Sequence, residues 1–125
     1  MSLTDDVVVT VPMAQWADWI AEGDLPGDEP EYESHFWIPQ GALPKVRRGV
    51  RVYIVAHGRL RGYAPLVRIE PRCRIRGDRA CLLRTGGAVA VTIPEPVRGF
   101  QGWRYRWWER ETEYPFPTWQ TEGVR

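Results

Sequence analysis

The chain has 125 residues, 43% hydrophobic and 26% charged, with a formal net charge of +1. Those figures suit one soluble globular domain, 1–125, with a single core. No apolar run approaches the ~20 residues of a bilayer-crossing helix. Asp5 and Asp6 stand where a secretion signal would carry positive charge, so a cytoplasmic protein with no membrane partner is expected. The small net charge hides a segregation. Residues 1–44 hold nine acids and no lysine or arginine, residues 45–106 hold fifteen basic residues against three acids, and residues 107–125 hold two against four. A basic block of that density calls for an internal acidic counterpart or an anionic partner.

In chain order, the β-branched run 6–11, DVVVTV, predicts a buried strand. Pro12 is suited to the first position of a helix. In PMAQWADWIAEG the spacing puts Met13, Trp16, Ala17 and Ile20 on one face, with Gly23 as the stop. Residues 24–34 are acidic and broken by Pro26, Gly27 and Pro30, so a loop is expected. His35–Ile38 forms a short strand stopped by Pro39.

The centre of the chain is KVRRGVRVYIVAHGRLRGYAPLVRIE, 45–70, two strands joined by a tight His57-Gly58 turn. Val50, Val52, Ile54 and Ala56 alternate with Arg51, Tyr53 and Val55, and Leu60, Gly62, Ala64 and Leu66 alternate with Arg59, Arg61, Tyr63 and Pro65. The pattern predicts a half-buried hairpin with one arginine-bearing side. Pro65 predicts a bulge or edge. Further on, a strand around Cys81-Leu82-Leu83 leads through Gly86-Gly87, read as a second hairpin turn, into AVAVTIP. In GFQGWRYRWWERE, alternation sets Trp103, Tyr105 and Trp107 against Arg104, Arg106 and Trp108. The tail 110–125 reads as extended, packing back through Phe116 and Trp119, with a fraying end.

Cys73 and Cys81 have the wrong spacing for a zinc site; neither metal nor cofactor is expected, and reduced thiols are. Ser34 and His35 are adjacent, so on a strand they point to opposite faces and do not form a catalytic pair. No catalytic residue can be assigned, although a Lys45 or His35 acid–base pair with a distant glutamate stays open.

Gly49-Val50-Arg51-Val52-Tyr53-Ile54 followed by Leu60-Arg61-Gly62-Tyr63-Ala64-Pro65-Leu66-Val67 resembles the paired strand motifs of the PUA-like superfamily, which includes the PUA, ASCH, EVE and YTH-type domains. The strand–helix unit VVVTVPMAQWADWIAEGD stands where those families place their first strand and helix. The resemblance implies an α+β, mostly β fold: a barrel of about five to seven strands with one main helix near the N-terminus, its core spanning about 7–109. It also implies recognition of RNA or a modified base or nucleotide. The alternatives are an ASCH-type amidohydrolase acting on a nucleoside-like amide, or a protein-interaction module. The ASCH element G-x-K-x-x-E-x-R is missing after the first helix.

Arginine holds phosphate while aromatic rings stack on bases. The candidate nucleic-acid-binding residues are therefore Trp37, Arg47, Arg48, Arg59, Arg61, Tyr63, Trp103, Arg104 and Arg106.

Overall fold

The computed structural model describes residues 6–22, 33–37, 43–73, 79–85 and 88–124. The expected acidic loop and the Gly86-Gly87 turn lie largely or wholly outside these residues, as does the side chain of Trp37 in its strand. The strands are β1 (Val7–Thr10), β2 (Glu33–Trp37), β3 (Arg51–Ala56), β4 (Arg59–Cys73), β5 (Arg79–Thr85), β6 (Val91–Thr92), β7 (Trp103–Tyr105) and β8 (Tyr114–Pro115), with one helix, α1 (Trp16–Glu22), among the described residues. Six strands form a sheet in the order β2-β5-β4-β3-β1-β7, and β6 pairs with β8. The fold is α+β and mostly β, its main sheet curled into a half-barrel.

Strand β3 lies at the middle of this sheet because its run of Val, Tyr, Ile and Val suits burial on both faces. It pairs in parallel with β1, Val7 opposite Val52 and Thr10 opposite Val55, and antiparallel with β4. On the inner face Val7, Val9, Val52, Ile54, Ala64, Leu66 and Leu82 pack with Trp16, Phe116 and Trp119. On the outer face Val8, Tyr53, Val55 and Leu60 are covered by Ile93, Val97 and Trp108. The expected arginine-bearing side is therefore a second apolar layer. The chain beyond β6 crosses the outer face, and removing each large apolar side chain from water contributes about 1.5–3 kcal/mol.

The first turn after Pro12 is 3-10, over Met13–Gln15, before α1 begins at Trp16. That tighter turn shifts the phase of the side chains. Trp16 is buried and Trp19 and Ile20 pack on the inner core, whereas Met13 and Ala17 are exposed. The expected helix face is thus corrected by one turn, and α1 covers the inside of the half-barrel.

His57 and Gly58 make the tight β3–β4 turn with positive φ at both, 48° and 73°, the backbone that best matches strand twist. Behind it the register slips: Val55 faces Leu60 but Ile54 faces Gly62, leaving Arg61 as the extra residue of a bulge. Gly62 is required there, since a Cβ would lie 2.5 Å from the carbonyl oxygen of Val89. Pro65 falls between Tyr63, bridged to Val89, and Leu66, opposite Arg84. There β4 exchanges one neighbour for another, so the missing N–H interrupts no continuous ladder.

Strand β5 and Val89 both run antiparallel to β4; the second hairpin turn expected at Gly86-Gly87 lies outside the described residues. Strand β7 pairs with β1 at the sheet's edge. The C-terminal segment is not an extended tail: Phe116 and Trp119 are buried, successive turns run from Phe116 to Val124, and Val124 packs on the core.

Candidate nucleic-acid interface

The arginines of the β3–β4 hairpin are built into the fold. Arg61 is fully buried. Its Nε donates to the carbonyl of Ala56 at 2.9 Å, Nη1 to those of Trp119 and Glu122 at 3.1 and 2.7 Å, and Nη2 to that of His57 at 3.4 Å. The guanidinium thus ties the hairpin turn to the C-terminal segment, with Trp16 and Phe116 beneath it. Burial, and secondarily the charge of Arg59, lower its pKa to about 10, so it stays cationic at neutral pH. Arg59 bonds Glu122, Thr92 and Tyr114. Arg61 does not reach a ligand, and Arg59 is committed to the same C-terminal segment. Tyr63 is part-exposed and lies under the guanidinium of Arg51, 4.1 Å from the ring centroid.

Arg106 is likewise buried. Its Nε donates to Asp6, whose carboxylate is fully buried, at 2.8 Å, and its Nη1 to the carbonyl of Trp108. Arg110 joins the same carboxylate at 2.9 Å, and the backbone N–H of Arg51 donates to its other oxygen at 2.9 Å. Burial alone would raise the pKa of Asp6. The hydrogen bonds from Arg51, Arg110 and Arg106 outweigh it and hold the carboxyl below its ordinary value. A second carboxylate, Glu113, accepts from Tyr53 at 2.5 Å, from Trp108 Nε1 at 2.8 Å and from Arg51 at 3.1 Å. Burial first, and then Glu113, push the Tyr53 hydroxyl well above the usual phenol range. These two carboxylates neutralise the arginines at the outer face and fasten residues 106–113 across it. This answers part of the charge segregation: Asp6, from the acidic third, meets the basic block inside the protein.

Several of the described cations that remain at the surface lie at or near β7. Lys45, Arg47 and Arg48 are exposed. The backbone N–H of Lys45 donates to the hydroxyl of Tyr105 at 3.1 Å, which seats this basic segment against β7. Trp103 and Tyr105, both part-exposed, face the inner side and meet edge to face with ring centroids 4.8 Å apart. Arg104 points the other way, opposite Val8, with its guanidinium 4.5 Å from the centroid of Phe100. Trp107 does not share the face of Trp103 and Tyr105. The strand ends at Tyr105, alternation stops there, and the exposed indole rests on Phe100 and Trp108 of the outer side.

Of the nine sequence candidates, Trp103 and Arg104 lie on the edge strand and Arg47 and Arg48 are exposed in the segment that begins at Lys45, while Arg59, Arg61 and Arg106 serve the fold. Lys45, Phe100, Tyr105 and Trp107 were missed as site residues. Only the adjacency of Lys45 to Arg47-Arg48 and the density of rings in 100–108 hinted at them. Elsewhere, a hollow of about 500 Å³ is lined by Met13, Ala14, His57 and Gly123. Among the described residues its lining carries no carboxylate, and the His57 ring lies edge-on to Trp16. Among the described residues no cluster of three potential metal ligands occurs, and no helix is long and apolar enough to cross a membrane.

The architecture defines a small mostly-β domain whose surface cations and rings meet at a strand edge. A family model described as a protein of unknown function, DUF1489, matches residues 12–111, most of the chain, and the chain belongs to that family. No curated protein and no solved structure matches it.

Proposed function

We propose that this protein is a recognition module of the PUA-like type, binding RNA or a comparable base-bearing polyanion at the β7 edge. The observation that carries this reading is the Lys45–Tyr105 hydrogen bond, which sets the start of the exposed basic segment Lys45–Arg48 beside two part-exposed rings. Guanidinium and ammonium groups hold phosphates, and ring faces accept bases without demanding one sequence.

The test is a fluorescence-anisotropy titration of labelled single-stranded RNA at low and moderate salt, with wild-type protein and the double variant Arg47→Ala/Arg48→Ala. The expected result is saturable binding that weakens with salt, with a shallower salt dependence in the variant because fewer counterions are released. Wild-type protein that does not bind RNA at low salt would end the proposal.

A further inference from the structure

The two ring groups beside β7 lie on opposite faces of the sheet. Trp103 and Tyr105 belong to the inner side with Val7 and Val9, which they pair against. Arg104, Phe100 and Trp107 belong to the outer side with Val8 and Trp108. Strand β7 is the terminal strand of the sheet order among the described residues, with one group on each of its faces.

Trp107 is 47% exposed. It is nonetheless held from two directions, by Phe100 at 6.2 Å and 66° and by Trp108 at 5.0 Å and 88°. Both contacts are edge to face, and Trp108 is itself fixed by Glu113. An indole so braced loses little freedom when a second ring stacks on it. The Arg104 guanidinium, exposed and parked over Phe100, supplies a cation beside that indole. A planar ring joined to an anion fits this pair: a nucleotide.

Resting on the binding reading above, we infer that the ligand is single-stranded and turns around the β7 edge. One part lies on Trp103, Tyr105 and the segment Lys45–Arg48, and the next on Trp107 and Arg104. A duplex is too stiff to fold over one strand, whereas a single strand rotates about its backbone between successive bases. The substrate class is therefore an unpaired strand of several nucleotides, not a free nucleoside and not a double helix.

The experiment is a length series of labelled oligouridylates, from the dinucleotide to about twelve nucleotides, a span that covers most site sizes of small β-barrel binders. It is run on wild type, Trp107→Ala, Trp107→Phe and Arg47→Ala/Arg48→Ala, with a blunt RNA duplex as competitor. Urea midpoints confirm that each variant is folded. Wild-type affinity is expected to climb as the strand lengthens past the dinucleotide. Trp107→Ala should bind the longest strand about tenfold more weakly, the loss of one stacked base, and lose less on the dinucleotide, which the rings of Trp103 and Tyr105 still hold. Trp107→Phe should recover most of that loss, and the duplex should compete poorly. If Trp107→Ala follows wild type at every length, or the duplex competes as well as the single strand, the turn around the edge is overturned while binding itself stands. If wild-type protein binds at no length, both this inference and the binding reading fall.

Discussion

The β3–β4 hairpin and the β7 edge carry nearly the same local pattern, Arg59-Leu60-Arg61-Gly62-Tyr63 in one and Trp103-Arg104-Tyr105-Arg106-Trp107 in the other. Three of their arginines, Arg59, Arg61 and Arg106, are bound into the fold, and Arg104 is not. In the hairpin a bulge turns Arg61 inward onto four carbonyls, and the C-terminal segment covers Arg59. At the edge Arg104 stays in solvent, and the basic segment 45–48 stays exposed beside it. The difference teaches that an arginine's role follows from what covers its strand. A strand in mid-sheet acquires neighbours on both sides and both faces, and a charged group there persists only if its donors are satisfied. On the terminal strand Arg104 stays in water, while Arg106, one residue past its end, is buried against Asp6.

The comparison breaks most decisively at Arg61. Arg61→Ala strands four carbonyls, those of Ala56 and Trp119 in buried bonds, and unties the C-terminal segment, so it should lower stability by ~3 kcal/mol, read as a shift in the urea midpoint. Arg61→Lys should recover only part, since an ammonium has three donors in place of the fork. An unchanged midpoint for Arg61→Ala would mean that the hairpin arginines are no more structural than those at the edge.

Asp6→Asn should follow, costing ~3 kcal/mol because the buried Arg106 loses its compensating charge. The pH dependence has a definite sign. The carboxyl of Asp6 is held below its ordinary value of 3.8, so its contribution is complete above that pH and lost as the pH falls through the lower folded value. Wild-type stability should therefore decline in the acid range below about pH 4, and the Asp6→Asn protein should show a flatter acid limb. Equal acid limbs in the two proteins would remove Asp6 from that transition.

Gly62→Ala sharpens the account of the bulge. The added methyl meets the Val89 carbonyl at 2.5 Å, and forcing the two segments apart should cost ~1–3 kcal/mol. The smallest effect belongs to the edge: Arg47→Ala/Arg48→Ala should shift stability by less than ~0.5 kcal/mol, with the whole of its consequence in RNA affinity and salt slope. A large loss of stability there would make this pair structural after all.

The strands were readable in advance where composition and period agreed. The valines of β1, the alternating run of β3 and the His57-Gly58 turn all lie where expected, because β-branched residues and positive-φ turns are local preferences. The burial of Trp16, Phe116 and Trp119 followed from their size. The reading failed where a neighbour distant in the chain set the outcome. Alternation in β3 suggested one wet face, yet residues 93–113 cover it. Period-2 counting placed Trp107 beside Trp103, yet β7 ends before Trp107. The arginine candidates could be picked out by type but not sorted, since exposure is a property of the packed molecule.

By itself, then, the amino-acid order determined a mostly-β domain with one N-terminal helix, a central hairpin, and an acidic region set apart from a basic one. Those features arise from propensity, periodicity and charge, which act over a few residues. Only the tertiary structure decided that Asp6 would meet Arg106 and Arg110, that Arg61 would bind the C-terminal segment, and that Lys45 would lie against Tyr105. Each of these contacts joins residues about 60 to 100 positions apart, and their energies exist only once the sheet has brought the partners together out of water.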